Sequence, residues 1–418
     1  MAGLTRKLGL GLSRELWLVQ IGVFLNTLGW GAVLPFEIIY LHDGRGFALG
    51  TAGLIVGLLT GVAVIAAPLA GSLVDRIGAR AVAVGAGLAL AAGYVGLATA
   101  TSEPVAFLAA VIGGIGNGAL SPAQSTLLAG LAPGDRRHQA IAVSRVATNA
   151  GFGLGGAVGG AIAAVGLAGY VALLLFNAVT YLVYVAVLVL VIRRPARPPR
   201  VAGGYRDVLR DGAFLRLTTI NVAIIAAGWG VLPWVVPPFA TAQLGVTPEL
   251  IGLLFLANAA TVVVAQVPIA RFAEGRRRVV MMATGAGLIG AACLVVLAAV
   301  AAPAIGFAAL LAASITIGLG ECFHTAALAP LVVDLAPEGL RGRYVATIGL
   351  SWWVGLALAP TLGTQLLGVS PALVFLTSAA VAAMAVVSML ALDHRLPAGA
   401  RLTPRQTPRQ TPGGTATH

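Results

Sequence analysis

Charge is scarce in this sequence. Asp, Glu, Lys and Arg make up 10% of its 418 residues, against 59% hydrophobic residues, which is too little polar surface to cover a water-soluble globule. Lysine is nearly absent: Lys7 stands alone among 26 basic residues. No G-x-x-x-x-G-K-[ST] motif is present, which excludes a phosphate-binding P-loop in this chain. Cysteine is limited to Cys293 and Cys322, both inside apolar runs. Two such residues form neither a disulfide framework nor a metal-ligand set, so no metal site and no cofactor are expected. Acidic residues number 14, so an acid inside an apolar run stands out.

The remaining sequence consists of repeated apolar runs with a mean hydropathy of +0.96. A membrane-spanning helix needs about 20 mostly apolar residues to cross a hydrocarbon core about 30 Å thick. The sequence predicts an all-α integral membrane protein with twelve such spans, at 16–40, 50–73, 79–100, 104–131, 140–166, 169–192, 214–241, 249–271, 278–301, 304–332, 341–367 and 371–392. Threaded this way, 25 of the 26 Lys and Arg residues fall on one side, and Arg45 falls on the other. Cytoplasmic loops retain positive charge. The expected topology is therefore multi-pass in a bacterial inner (plasma) membrane with both termini cytoplasmic. The net charge of +12 sits in short loops rather than on one basic face, which argues against a nucleic-acid partner.

A basic, Pro-containing stretch at 193–216 separates a first six-helix bundle (1–192) from a second (217–392), and a Thr-Pro-Arg-Gln repeat marks a tail (393–418) expected to be disordered in the cytoplasm. The halves resemble each other. Gly29-Trp30-Gly31 precedes Leu34-Pro35, and Gly228-Trp229-Gly230 precedes Leu232-Pro233. Gly116-Asn117-Gly118 lies 15 residues before Ala132-Pro133, as Gly320-Glu321-Cys322 does before Ala336-Pro337. Repeated bundles with a substrate site at their interface are a common transporter plan.

Between the second and third spans lies Gly71-Ser-Leu-Val-Asp75-Arg76-Ile-Gly78-Ala-Arg80, with a weaker copy at 270–278. This G-x-L-x-D-R-x-G-x-R pattern resembles the signature loop of the major facilitator superfamily. The resemblance extends from the first span to the twelfth and points to the drug/proton antiporter branch. It implies two pseudo-symmetric six-helix bundles acting as a monomer, and a small-molecule substrate and protons as partners within the lipid bilayer. It also implies that Gly71, Asp75, Arg76, Gly78 and Arg80 latch the halves at the cytoplasmic side, with Asp135 as a carboxylate partner. Ala79 stands where the family usually has a basic residue. In the fifth span, Gly151, Gly155, Gly156 and Gly159 resemble the glycine-rich segment of antiporters and suit close helix packing. Gly156 replaces the usual Pro, and Ala110 replaces the intramembrane Arg common in drug exporters.

Glu321 is the leading proton-coupling candidate. A charged acid at mid-span costs about 2.5 to 3.5 kcal/mol on insertion scales, which directs it to the bundle interior or a wet cavity. His324, one turn on, is either a relay or a satisfied core histidine. Asn26, Trp30, Glu37, Asn117, Asn221, Trp229 and Asn258 are candidates for a cavity suited to an amphipathic organic molecule; packing between helices is the alternative for each. Gly285-Ala-Gly287-Leu-Ile-Gly290 matches a dinucleotide fingerprint but lies in an apolar span with no preceding strand, so it reads as packing. H-E-x-x-H and G-x-S-x-G are absent, so no enzymatic role is expected. The sequence favours proton-coupled export of a drug-like or natural compound. Metabolite uptake by symport, and a non-transporting receptor on the same fold, remain as alternatives.

Overall fold

The computed structural model describes residues 13–132, 136–192, 205–337 and 339–403. Twelve helices among them are long and apolar enough to cross a membrane. We number these α1 (Arg14–Gly44), α2 (Leu49–Ile77), α3 (Ala79–Thr99), α4 (Glu103–Leu131), α5 (Arg136–Ala163) and α6 (Leu167–Leu190) in the first half. In the second half, α7 begins at Gly212–Ala227 and continues as Val231–Trp234 and Val236–Leu244. It is followed by α8 (Pro248–Ala273), α9 (Arg278–Ala301), α10 (Gly306–Leu335), α11 (Arg341–Val369) and α12 (Pro371–Leu392). Asp135 lies outside the described residues.

Helix starts follow capping chemistry. Ser13 Oγ accepts the Leu16 amide at 3.2 Å. Asp211 Oδ1 accepts from Ala213 and Phe214 at 3.1 and 2.9 Å, so α7 begins at Gly212. The other Asp211 oxygen accepts from the Tyr344 hydroxyl at 2.9 Å, tying α7 to α11. Gly78, with φ 93°, reverses the chain between α2 and α3 in one residue, a conformation that favours glycine because it has no Cβ.

The matching motifs of the two halves produce different local breaks. In α1 the helix runs through Gly29-Trp30-Gly31 and tightens to a 3-10 turn at Leu34–Phe36, where Pro35 sits. In α7 the helix is interrupted at Gly228, and the Gly230 amide reaches back to Ile225 O at 2.9 Å. A proline therefore marks the break in α1 and the glycine pair marks it in α7.

Packing distinguishes the two ends of the molecule. At the end bearing Arg45, one apolar core joins both halves, with Phe36, Ile38, Ile55 and Leu59 from the first and Trp234, Phe239, Phe255 and Leu356 from the second. At the basic end the cores are separate: Val19, Val74, Leu127 and Leu188 in one half, and Phe214, Val279, Leu331 and Met389 in the other. A Cβ added to Gly53 or Gly57 of α2 would meet Thr364 and Pro360 O, or Thr361, of α11. Toward the basic end, a Cβ at Gly71, Gly342 or Gly349 would meet nothing within 4 Å. This conformation is sealed at the Arg45 end.

The tail expectation is corrected for residues 393–403, which fold back onto the loop between α8 and α9. Arg277 pairs with Asp393 at 3.0 Å. The Gly275 amide donates to Thr403 O at 2.9 Å and the Thr403 amide to Arg276 O at 3.0 Å. Arg278 is fully buried; it pairs with Asp334 at 2.5 Å and donates to Ala400 O at 3.2 Å. Leu396 and Ala400 are buried with it. A buried guanidinium needs all of these partners. Truncation after Leu392 should destabilise the protein by about 3 kcal/mol, lowering its melting temperature in detergent by about 4 °C. Truncation after Thr403 should leave it unchanged, and equal melting of the two truncated proteins would contradict the assigned role.

Candidate functional site

α10 carries Glu321 and His324 near its midpoint, opposite the interruption in α7. Glu321 is half-buried, and its carboxyl neighbours the indole N–H of Trp229. That N–H is buried without a hydrogen-bond partner among the described residues, and Glu321 makes no ion pair there. The Trp229 ring lies 5.4 Å from His324, edge-on, and 5.2 Å from Trp352 of α11. The break at Gly228 turns this indole toward α10; a Cβ at Gly228 would press on Ile289 at 2.7 Å.

His324 is fully buried and begins a directed chain. Its Nε2 lies 2.8 Å from Asn221 Oδ1, Asn221 Nδ2 donates to Ser351 Oγ at 2.7 Å, and Ser351 Oγ donates to Ile348 O at 2.7 Å. Because the serine proton is spent on Ile348, Ser351 accepts from the amide nitrogen, and Asn221 presents its oxygen to the ring. His324 Nε2 therefore carries a hydrogen and Nδ1 is the bare acceptor. Nδ1 is buried without a partner among the described residues. Glu321, Trp229, His324 and Asn221 thus converge, and Ser351 and Trp352 join them. No periodicity in the sequence points to those last two, although the Trp352-Trp353 pair in an apolar helix is a visible signal.

Other candidates lie elsewhere. Trp30 stacks obliquely on Phe152 at 5.6 Å, and Phe152 on Phe255 of α8 at 6.1 Å, forming an aromatic bridge between halves. Asn117 is half-buried on α4. Asn26 is buried with its oxygen unpartnered among the described residues. Asn258 is corrected from cavity to packing: it is buried, and its Nδ2 donates to Ser314 O of α10 at 3.0 Å.

Glu37 is also corrected. It does not line an open cavity but is 4% exposed inside the seal. Oε1 accepts from the Tyr94 hydroxyl at 3.2 Å, and Oε2 from Trp234 Nε1 of the other half at 3.1 Å.

The signature loop is apart from the second half in this conformation. Here it does not bridge the halves: Asp75 and Arg76 are exposed, and Gly71 and Gly78 are open to solvent on their Cβ side. Arg80 serves its own half, donating to Leu188 O at 2.9 Å and Val189 O at 2.7 Å at the end of α6, where a cation complements the helix dipole.

Helix α5 presents two glycine faces. A Cβ on Gly151, Gly155 or Gly159 would collide with the backbone of α1 at Phe24, Leu28 or Ala32. A Cβ on Gly153, Gly156 or Gly160 would collide with α8 at Ala259, Phe255 or Pro248. Three of the four packing glycines singled out in the sequence thus hold α5 to α1. Gly156 faces the other half.

Two six-helix bundles that share a core at one end and part at the other, with a polar cluster at mid-depth, define a membrane transporter. A sequence model of the Major Facilitator Superfamily matches residues 19–226 and 218–415, and the chain belongs to that family. It is 27% identical over 358 residues to the uncharacterized MFS-type transporter YttB of Bacillus subtilis (84% of this chain, 87% of that one). It is 29% identical over 363 residues to the multidrug resistance protein MdtH of Aeromonas salmonicida (83% and 85%). Among solved structures, a POT family transporter in complex with 5-aminolevulinic acid aligns with a TM-score of 0.77 at 14% identity, covering 91% of this chain and 96% of that one. This last likeness shows the shared fold.

Proposed function

We propose that this chain exports an amphipathic organic compound in exchange for protons, with Glu321 as the coupling carboxyl and His324 as its relay partner. The observation that carries this reading is Glu321 itself: an acid at mid-depth of α10 with no ion pair among the described residues, beside the Trp229–Trp352 pair and one turn from a histidine with an unused Nδ1. An uncompensated charge there is costly, so proton loading and substrate binding can each bias the same two-state equilibrium. Indole surfaces suit a hydrophobic, cationic or aromatic cargo. The multidrug resistance name of one relative supports export over uptake. In this reading the basic end faces the cytoplasm, the described conformation is inward-facing, and the signature loop engages the second half when that end closes.

Inside-out vesicles with an imposed pH gradient test the proposal. Amphipathic cations should dissipate the gradient only in vesicles carrying the protein. Uptake driven in the opposite direction would establish symport instead, and binding without translocation would leave a receptor.

A further inference from the structure

Glu37 sits where the proposed mechanism places no chemistry. The 3-10 turn at Leu34–Phe36 and the π turn at Tyr40–Gly44 flank it, turning its side chain inward at the sealed end. Its two donors belong to different halves, Tyr94 on α3 and Trp234 on α7, and both are 1% exposed. Tyr181 of α6 stacks on Tyr94 at 6.1 Å. Beside the carboxyl lies a small cavity of about 10 Å³ lined by Tyr40, Leu41, Ile55, Val56, Leu59 and Leu174, room for one water at most. The groups facing Glu37 are therefore phenols, an indole and hydrocarbon. Arg45, the cation at this end, is held by Tyr40 Oη and Ala98 O. His42 is turned to Phe47 O at 2.7 Å and to Asp43 at 3.9 Å.

We propose that Glu37 is a second proton-binding site, built into the seal, so that protons from the solution at the Arg45 end close that end of the transporter. It rests on the membrane orientation given above and deepens the coupling scheme. When the halves part, Trp234 leaves with α7 and Glu37 meets water. A carboxylate is well solvated in that open state but finds no compensating cation in the sealed one, so charge on Glu37 opposes sealing. The Tyr94 hydroxyl can donate to the carboxylate or accept from the neutral acid, so the α1–α3 contact survives either protonation state. Proton capture then drives the open end shut, the direction that proton-driven export requires.

Spin labels on cysteines introduced at exposed Ala48 and Thr247, in protein with Cys293 and Cys322 replaced, report the separation of the halves in liposomes. Between about pH 5 and about pH 9, the long-distance population should grow about fivefold as protons leave the gate. Glu37→Gln keeps an oxygen for Trp234 and should hold the short distance at every pH. Trp234→Phe should open more readily yet still respond to pH. Because Glu321 biases the same equilibrium, these comparisons are made in protein that also carries Glu321→Gln, where His42→Gln should respond like its parent. A pH response retained in Glu37→Gln, lost in His42→Gln or absent from that parent would overturn the proposal. The readout needs no transport, so failure of Glu321 as the coupling group would appear separately, in vesicle flux.

Discussion

Glu321→Gln is expected to lower pH-gradient-driven efflux to about 1% of the unaltered protein or less, because the amide cannot load a proton in a segment where charge is expensive. Folding should be spared. Glutamine has nearly the same volume and keeps a side-chain oxygen beside the Trp229 indole, so stability should change by about 0.5 kcal/mol or less. Two assays on one preparation separate the effects: proton flux coupled to substrate in inside-out vesicles, and exchange of labelled substrate without a gradient. Loss of the first with retention of the second assigns coupling to Glu321. Loss of both with intact folding would make Glu321 a binding group. His324→Gln is the graded companion. Its amide nitrogen can still donate to Asn221, but the Nδ1 acceptor is gone, and a slowing of about tenfold is expected from loss of a relay. Unchanged flux in that variant would make His324 a core histidine.

The second large effect concerns α5. Gly155→Val should abolish folding, because a Cβ there overlaps Leu28 O and lies 2.9 Å from Ala32 N of α1. Backbone cannot move aside as a side-chain tip can, and overpacking of this kind costs on the order of 3 kcal/mol. Gly156→Val, one residue on, should fold. Its added atoms press on Phe255 Cβ at 2.6 Å, across a contact that must separate in every cycle. The expected result is normal yield of monodisperse protein and a long-distance population in the Ala48–Thr247 measurement at all pH values. Equal loss of yield in the two variants would show that the α5–α8 contact is as permanent as the α1–α5 contact.

Much of the architecture was legible because its signals are local. Twelve apolar runs, and the placement of every basic residue but Arg45 on one side, were enough to count the helices. The repeated Gly-Trp-Gly and Gly-x-Gly motifs exposed the duplicated plan. Glu321 stood out because an acid in an apolar run has few neutral explanations. The misread positions depend on contacts far apart in sequence. Glu37 looked like a cavity residue until Trp234, 197 positions away, closed over it. Asn258 is occupied by a carbonyl 56 residues distant. Arg80 turned out to serve a helix end 108 residues on. The fold of 393–403 rests on main-chain bonds to the α8–α9 loop, which composition does not report. The Asn221–Ser351 link similarly joins side chains 130 residues apart. For Glu37, Asn258, Arg80, Asn221 and Ser351, sequence alone placed the residue on the right helix without showing its partner.

The two glycine faces of α5 also set a rule of counting. Consecutive residues on a helix point about 100° apart. One residue inserted before Gly151 would turn everything beyond it by that angle, presenting to α1 side chains meant for elsewhere and to α8 the glycines that should never let go. Volume changes at these positions can be graded; a change in phase cannot. Length variation in such a carrier is therefore confined to its connections and its tail, where an added residue rotates nothing.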